Sequence, residues 1–311
     1  MIVVKTPLRL SLLGGNTDFP KYFKKYGGAV LTTTIDKYIY CIIKDRFDDQ
    51  IRINYSIKEI VDNVNDIKHD IVREAMRLVG VDKGVEITFL SDIPSEGSGL
   101  GSSSAVAVGV LNALHHYKGE SVTNRQLADE ACKIEIDILK KPIGVQDQYA
   151  VAFGGLNLIK FGKEITVESL VSKDLINSLL LVYTGKTRSA DKILSKMKLN
   201  KKILDKNKKL ALLGANLIDE FDTLGVFLNQ YWELKKKLNK SVTDNNLNSI
   251  YQDAIDAGAI GGKIVGAGGG GFFLFVVSLN KREIVKRAIR LKELPFRLSN
   301  HGSRVIFNIN S

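Results

Sequence analysis

Cysteine is nearly missing from this sequence: Cys41 and Cys132 are the only two among 311 residues. Two thiols build no disulfide framework, so a reducing compartment, the cytoplasm, is expected. Histidine is rare as well. His69, His115, His116 and His301 stand at no metal-ligand spacing with either cysteine, which argues against a structural zinc. No apolar run approaches the roughly 20 residues of a membrane span, and the first residues carry no signal-peptide pattern, so no membrane partner is expected. The Walker spacing for phosphate is also absent. Gly185-Lys186-Thr187 looks like its tail, but Leu180 stands where the first glycine belongs.

What is present describes an ordinary globular chain. Apolar content of 44% and charged content of 25% suit one large domain or two packed ones. The net charge is +11, and the basic residues crowd into 196–209, 235–237 and 281–292. Apolar residues recur every three or four positions there, so these runs read as solvated helix faces. A basic surface also concentrates anionic substrates such as nucleotides and sugar phosphates. No aromatic-basic pattern accompanies the charge, and nucleic acid is not expected as a partner.

The stretch that organises the chain is 93–105, which follows a strand-like alternation and leads into a helical pattern. Gly97, Gly99 and Gly101 let the backbone turn and bring its N–H groups near a ligand. Ser102, Ser103 and Ser104 fall at the helix start, where unpaired N–H groups attract anions. A phosphate cradle has this order of parts; a Gly/Ser-rich surface loop capped by serine shares its composition. Gly266–Gly271 satisfies a dinucleotide-binding spacing, but the apolar run 272–277 after it reads as a strand instead of the required helix.

In chain order, 2–13 reads as strand, with Leu8, Leu10 and Leu12 on one face and Arg9 and Ser11 on the other. A polar turn at 14–20 follows, then strands at 29–35, 38–44 and 51–55. Asp66 is placed to cap a helix striped by Ile67, Ile71, Ala75, Leu78 and Val79. Thr123-x-x-Gln126 makes a capping box for a helix through Ile138. A short helix from Gly144 to 154–155, strands at 156–161 and 179–183, and a helical region over 190–238 come next. Thr243 is placed to cap another helix ending near Gly258. A strand at 272–278, a basic helix at 281–292 and strands at 296–299 and 305–309 close the chain. The order predicts an α+β protein of two lobes, 1–183 and 184–311.

Three elements stand in fixed order: 6–18, 93–105 and 263–272. Together they resemble the three motifs of the GHMP small-molecule kinases over nearly the full length. Within that superfamily the resemblance is greatest to the heptose 7-phosphate kinases, through Thr6-Pro7-Leu8-Arg9, Gly14-Gly15-Asn16-Thr17-Asp18, Val145-Gln146-Asp147-Gln148-Tyr149-Ala150 and Tyr231-Trp232-Glu233-Leu234-Lys235. It implies an N-terminal lobe like ribosomal protein S5 domain 2, a ferredoxin-like C-terminal lobe and an active site between them. The partners it implies are ATP with Mg²⁺ and a sugar phosphate, handled by a monomer or homodimer.

Roles follow from that resemblance, residue by residue. Asp147 takes or orients the acceptor proton, and a carboxylate beside a cation is suited to this. Arg9 stabilises developing charge. Pro94, Gly97, Ser98, Gly99, Leu100, Gly101, Ser102, Ser103 and Ser104 bind ATP, while Ser103 and Glu135 hold the metal through hard oxygens. Asn16 and Asp18 clamp the sugar, Gly268 and Gly269 border the substrate, and the glycine cluster packs beside the phosphate loop. Arg188, with Lys186 and Ser189, is the candidate for the substrate's own phosphate. Two positions depart from the pattern. Asn16 replaces a third glycine, and Glu96 sits inside the phosphate loop, where it is expected to point outward.

Overall fold

A proline near the middle of the first strand shapes the larger sheet. The computed structural model describes residues 1–94, 97–187, 190–197 and 199–309. Strand β1 (Ile2–Leu13) runs antiparallel to β2 (Gly28–Asp45). Pro7 has no N–H for the ladder, and the register slips beside it: Pro7 faces Tyr38, while Leu8 faces Ile35. Asp36 and Lys37 are left over. Asp36 binds Arg297 instead, donating its N–H to the Arg297 carbonyl and accepting the Arg297 N–H at its carboxylate. The two strands expected at 29–35 and 38–44 are therefore one strand with an offset.

Across the offset β2 changes partner. The sheet continues through β3 (Ile51–Asn54), β4 (Lys58–Val61), β5 (Val85–Ser91), β6 (Leu156–Phe161) and β7 (Thr166–Leu170). The last residues of β2 pair with β5 and its first residues with β6. β3 joins β5 in parallel, and every other pair in this sheet is antiparallel. A second sheet holds β8 (Leu179–Tyr183), β9 (Gly261–Ile264), β10 (Phe272–Val276) and β11 (Lys292–Glu293) in the order β11-β8-β10-β9. β12 (Arg304–Asn308) returns to the free edge of β1. The position 183/184 lies at the end of β8, which is paired into the second sheet.

The helices are α1 (Pro20–Tyr26), α2 (Asp70–Val79), α3 (Ser102–Tyr117), α4 (Asn124–Cys132), α5 (Gln146–Phe153), α6 (Leu175–Ser178), α7 (Ala190–Leu194), α8 (Lys201–Asn216), α9 (Phe221–Leu238), α10 (Asn245–Asp256) and α11 (Arg282–Ile289). The helical region expected over 190–238 is thus three helices. α3 is the central one. Ala105, Val108, Leu111 and Leu114 are fully buried, and the helix lies on β1 and β2 among α2, α4 and α5. A helix apolar on nearly every side must be covered on every side. Each buried Val or Leu contributes about 1.5–3 kcal/mol. Gly109 admits Thr6, whose Oγ1 would lie 2.9 Å from an added Cβ. α3 is thereby held rigidly, and its N-terminus opens on the space between the sheets.

Several expected caps move. The helix expected after Asp66 begins at Asp70, and Asp66 sits in a 3₁₀ turn, Val64–Asp66, capped by Asn63. Asp244 caps α10 in place of Thr243, with its Oδ1 accepting the Leu247 N–H at 2.8 Å. Thr123 does cap α4, accepting the Gln126 N–H at 3.1 Å, but the Gln126 amide reaches forward to Glu130 instead of back. Residues 296–299 make only an isolated bridge, Leu298 to Ile35, on the edge of β2 opposite β1, in the short gap between the stretch paired with β6 and the stretch paired with β5. Beyond Cys132 the helix widens into a π turn, Lys133–Ile138.

Candidate active site

The glycine stretch folds into a tight loop at the start of α3. Gly97, Gly99 and Gly101 take φ of +66°, +76° and +77°, a left-handed region closed to most side chains. Gly101 caps α3, whose first turn carries no acid to oppose an anion. The third glycine element locks onto this loop. An added Cβ on Gly99 would lie 2.7 Å from the Val265 carbonyl oxygen, and one on Gly266 would lie 2.6 Å from Gly99 Cα. Two glycine segments interlock, backbone to backbone, along one wall of a cleft of about 260 Å³.

Arg9 and Asp147 meet on the cleft floor. Arg9 donates Nε to Asp147 Oδ1 at 2.7 Å and Nη2 to Oδ2 at 2.6 Å, a two-pronged pair. Its Nη1 donates to the Gly99 carbonyl at 2.6 Å, and its backbone N–H to the Leu100 carbonyl at 2.9 Å. The guanidinium therefore ties β1, the glycine loop and α5 together. Asp18 lies beside them and is almost fully buried. Its Oδ2 accepts the Gln146 N–H at 3.2 Å, whereas Oδ1 has no partner among the described residues. Burial, then the Asp147 charge, pushes its carboxyl up to about 6. Asn16 takes φ of +72°. Asparagine tolerates that conformation better than most residues, so it replaces glycine without redirecting the backbone.

Glu135 lies on the π turn and is fully buried. Ser103 Oγ donates to its Oε1 at 2.5 Å, and Ser104 Oγ and Gln148 Nε2 both donate to Oε2 at 2.7 Å. Lys141 Nζ stands 3.7 Å from Oε1 and 3.3 Å from Ser103 Oγ. Burial raises the Glu135 carboxyl's pKa, against the pull of Lys141 and the three donors. Ser103 and Glu135 are thus brought into contact, one at the surface and one beneath. Among the described residues no group of three or more His, Cys, Asp or Glu side chains is placed to hold a metal ion by itself. The hard oxygens of Ser103 and Glu135 fit a Mg²⁺ that keeps phosphate and water ligands, as that ion prefers.

Gly268 lines the cleft, whereas Gly269 turns away and donates its N–H to the Val242 carbonyl. Leu100 is buried, and Pro94 is exposed beyond the cleft's lining. Lys186 is paired with Asp244 at 3.0 Å. Arg188, Ser189 and Glu96 lie outside the described residues.

Sequence reasoning missed several lining groups. Lys141 follows an ordinary-looking charged run. Lys263, the first residue of the third glycine element, is given no role of its own by the sequence; it is 1% exposed, under Tyr231. A second cavity, about 760 Å³, shares Gly97, Ser102 and Ser103 with the first and is walled by Ile39, Tyr55, His69 and Phe89. The His69 ring meets Tyr55 edge-on at 4.8 Å and stacks on Phe89 at 6.0 Å. Their sequence signal was only three scattered aromatic side chains.

The chain as a whole is similar to known proteins. The family description for the GHMP kinases N terminal domain matches residues 65–155, and that for the GHMP kinases C terminal matches residues 218–293. The chain is 36% identical to the D-glycero-alpha-D-manno-heptose 7-phosphate kinase of Campylobacter jejuni, over 94% of each chain. Among solved structures, a D-glycero-D-manno-heptose 1-phosphate kinase from Bacteroides thetaiotaomicron is 27% identical, with a TM-score of 0.82 over all of both chains. A putative sugar kinase from Campylobacter jejuni is 32% identical, with a TM-score of 0.79 over 98% of this chain and 97% of that one.

Proposed function

The chain belongs to the GHMP kinases and is a phosphotransferase, and from that premise we propose that it moves the γ-phosphate of ATP to the anomeric hydroxyl of D-glycero-D-manno-heptose 7-phosphate. The product would be the 1,7-bisphosphate used to make nucleotide-activated heptose. One observation carries the chemistry: both oxygens of Asp147 are held by Arg9, which is itself tied to the glycine loop at the start of α3. Each Asp147 oxygen keeps a lone pair for an acceptor hydroxyl, and holding that hydroxyl in line with the γ-phosphate is most of what phosphoryl transfer requires. Arg9 adds fixed positive charge where the transferring group passes.

The other residues take roles that fit this reading. The turn at Gly97–Gly101 and the first N–H groups of α3 receive the phosphates. The aromatic cavity beside it suits a flat base, edged by Tyr55, His69 and Phe89. Ser103 and Glu135 would hold Mg²⁺, which supplies charge to the phosphate oxygens when bound. Asn16 and Asp18 receive sugar hydroxyls, and the free Oδ1 of Asp18 is a ready acceptor. Gly268 borders the same space.

Support for the acceptor comes from the Campylobacter jejuni relative, matched at 36% identity over 94% of both chains. One observation favours an unphosphorylated sugar instead: Lys186, a candidate for the acceptor's phosphate, is already paired with Asp244. Among the described residues no helix is long and apolar enough to cross a membrane, and an ATP-consuming reaction suits the cytoplasm. A coupled ADP-release assay across heptose 7-phosphate, free heptose, mannose and fucose tests the reading, with phosphorus NMR locating the new phosphate. Heptose 7-phosphate is expected to lead by at least about tenfold in kcat/KM, equivalent to about 1.4 kcal/mol. Equal efficiency on free and phosphorylated sugars would favour the simpler sugar kinase.

A further inference from the structure

Lys263 stands in β9 on the cleft floor with its Nζ 4.4 Å from the centre of the Tyr231 ring. It forms no ion pair with any carboxylate of the described residues, and the charges that act on it most strongly are two further cations, Lys235 and Arg9. Lys235, on α9, is also buried, and donates to the carbonyls of Gly266 at 2.5 Å and Ile264 at 3.4 Å. Arg9 is committed to Asp147 and Gly99. Burial and these like charges push the Lys263 ammonium well below its ordinary range. Burial chiefly, and Arg9 next, bring Lys235 down to about 7.

A buried cation faced by an aromatic ring but by no anion is still costly, as an ammonium taken from water loses several kcal/mol of solvation. The cores around this one are built of Leu, Ile and Phe, and an apolar side chain would fill the same position at lower cost. Lys263 faces a cleft reachable by ligands, beside the interlocked glycine segments, and its tip lacks only an anion. We propose that Lys263, backed by Lys235, forms an oxyanion subsite on the cleft floor that takes a phosphate group of a bound substrate. Two sources share that chemistry: the acceptor's own phosphate and the γ-phosphate of the nucleotide. The inference rests on the phosphotransferase reading but not on heptose as the acceptor.

The probe is inorganic phosphate, titrated calorimetrically into the wild-type protein and into K263M and K263Q. Both substitutions remove the charge at similar length, and a thermal melt establishes that each variant is folded. Phosphate affinity is expected to fall at least about tenfold in the folded variants, as loss of one charge-assisted hydrogen bond implies. Repeating the titration with the enzyme saturated by an imido analogue of ATP separates the sources. Phosphate binding that persists assigns Lys263 to the acceptor's phosphate. Phosphate binding that vanishes, with K263M losing affinity for the analogue but not for ADP, assigns it to the γ-phosphate. Unchanged phosphate affinity in a folded variant overturns the subsite. So does a wild-type protein that binds no phosphate, a measurement that needs no variant. No arm uses a sugar, so an enzyme inactive on heptose 7-phosphate would sink the acceptor assignment and leave this result standing.

Discussion

Glu135 and Asp18 are both buried carboxylates lining the same cleft, and their surroundings differ sharply. Glu135 accepts from Ser103, Ser104 and Gln148 and lies near Lys141. Asp18 accepts backbone hydrogen bonding at Oδ2 only and leaves Oδ1 bare. Satisfying a buried carboxylate fixes its neighbours in place, whereas a bare oxygen retains binding capacity at a cost in stability. The Glu135 side of the cleft is thus wired before any ligand arrives. The side with Asp18 and Lys263 carries unspent hydrogen-bonding groups, which fits the proposed division between nucleotide and acceptor.

The largest effect is expected where the two sides meet. Asp147→Asn should lower kcat by about 10²–10⁴, the usual worth of a positioned proton acceptor, with nucleotide affinity changed only a few-fold. Turnover near wild type in the ADP-release assay would remove Asp147 from the chemistry.

Asp18 offers the next test, because its raised carboxyl makes the native state bind a proton that the unfolded chain releases. Between about 4 and about 6 the folded protein holds more protons, so this group's contribution to stability is full at low pH and lost as pH rises through about 6. A rise of that size corresponds to about 3 kcal/mol. Asp18→Asn should therefore be more stable than wild type at pH 7, by up to that amount, and the gap should close toward pH 4. Denaturant melts across that range check it, and a gap independent of pH would show that the bare carboxylate is not costly. The same variant should raise KM for the sugar.

A smaller effect tests the wall common to both sides. Gly99→Ala forces a side chain into a left-handed backbone against the Val265 carbonyl and should cost about 1–3 kcal/mol. A melt unchanged within error would mean that the two glycine segments separate freely. The smallest effect is expected on the wired side. Ser103→Ala and Glu135→Gln should each raise the Mg²⁺ concentration for half-maximal rate several-fold, as loss of one of several oxygen ligands would. If neither moves it, the metal is held elsewhere.

The parts of this molecule legible in the sequence are those settled within a few residues. Glycines at 97, 99 and 101 followed by serines and an apolar run imply a tight loop and a buried helix, because left-handed backbone and continuous apolarity are local properties. The strands at 156–161 and 179–183 were likewise readable from their apolar runs. The glycine element at 266–271 was legible as something other than a dinucleotide loop, since a strand follows it. The π turn carrying Glu135 was not legible, because its sequence continues an ordinary helical pattern.

What only the tertiary structure decided is which groups meet and which stay unpaired. Arg9 reaches Asp147 across 138 positions, and nothing near either residue encodes that distance. Nothing in the residues beside Lys263 announces that its side chain is buried. It is buried because α9 lays Tyr231 against it and because the second sheet closes against the glycine loop. A side chain's charge and reach are set by its own residue type. Its burial and its partners depend on surfaces supplied by distant segments, and those surfaces come together only when the chain has folded.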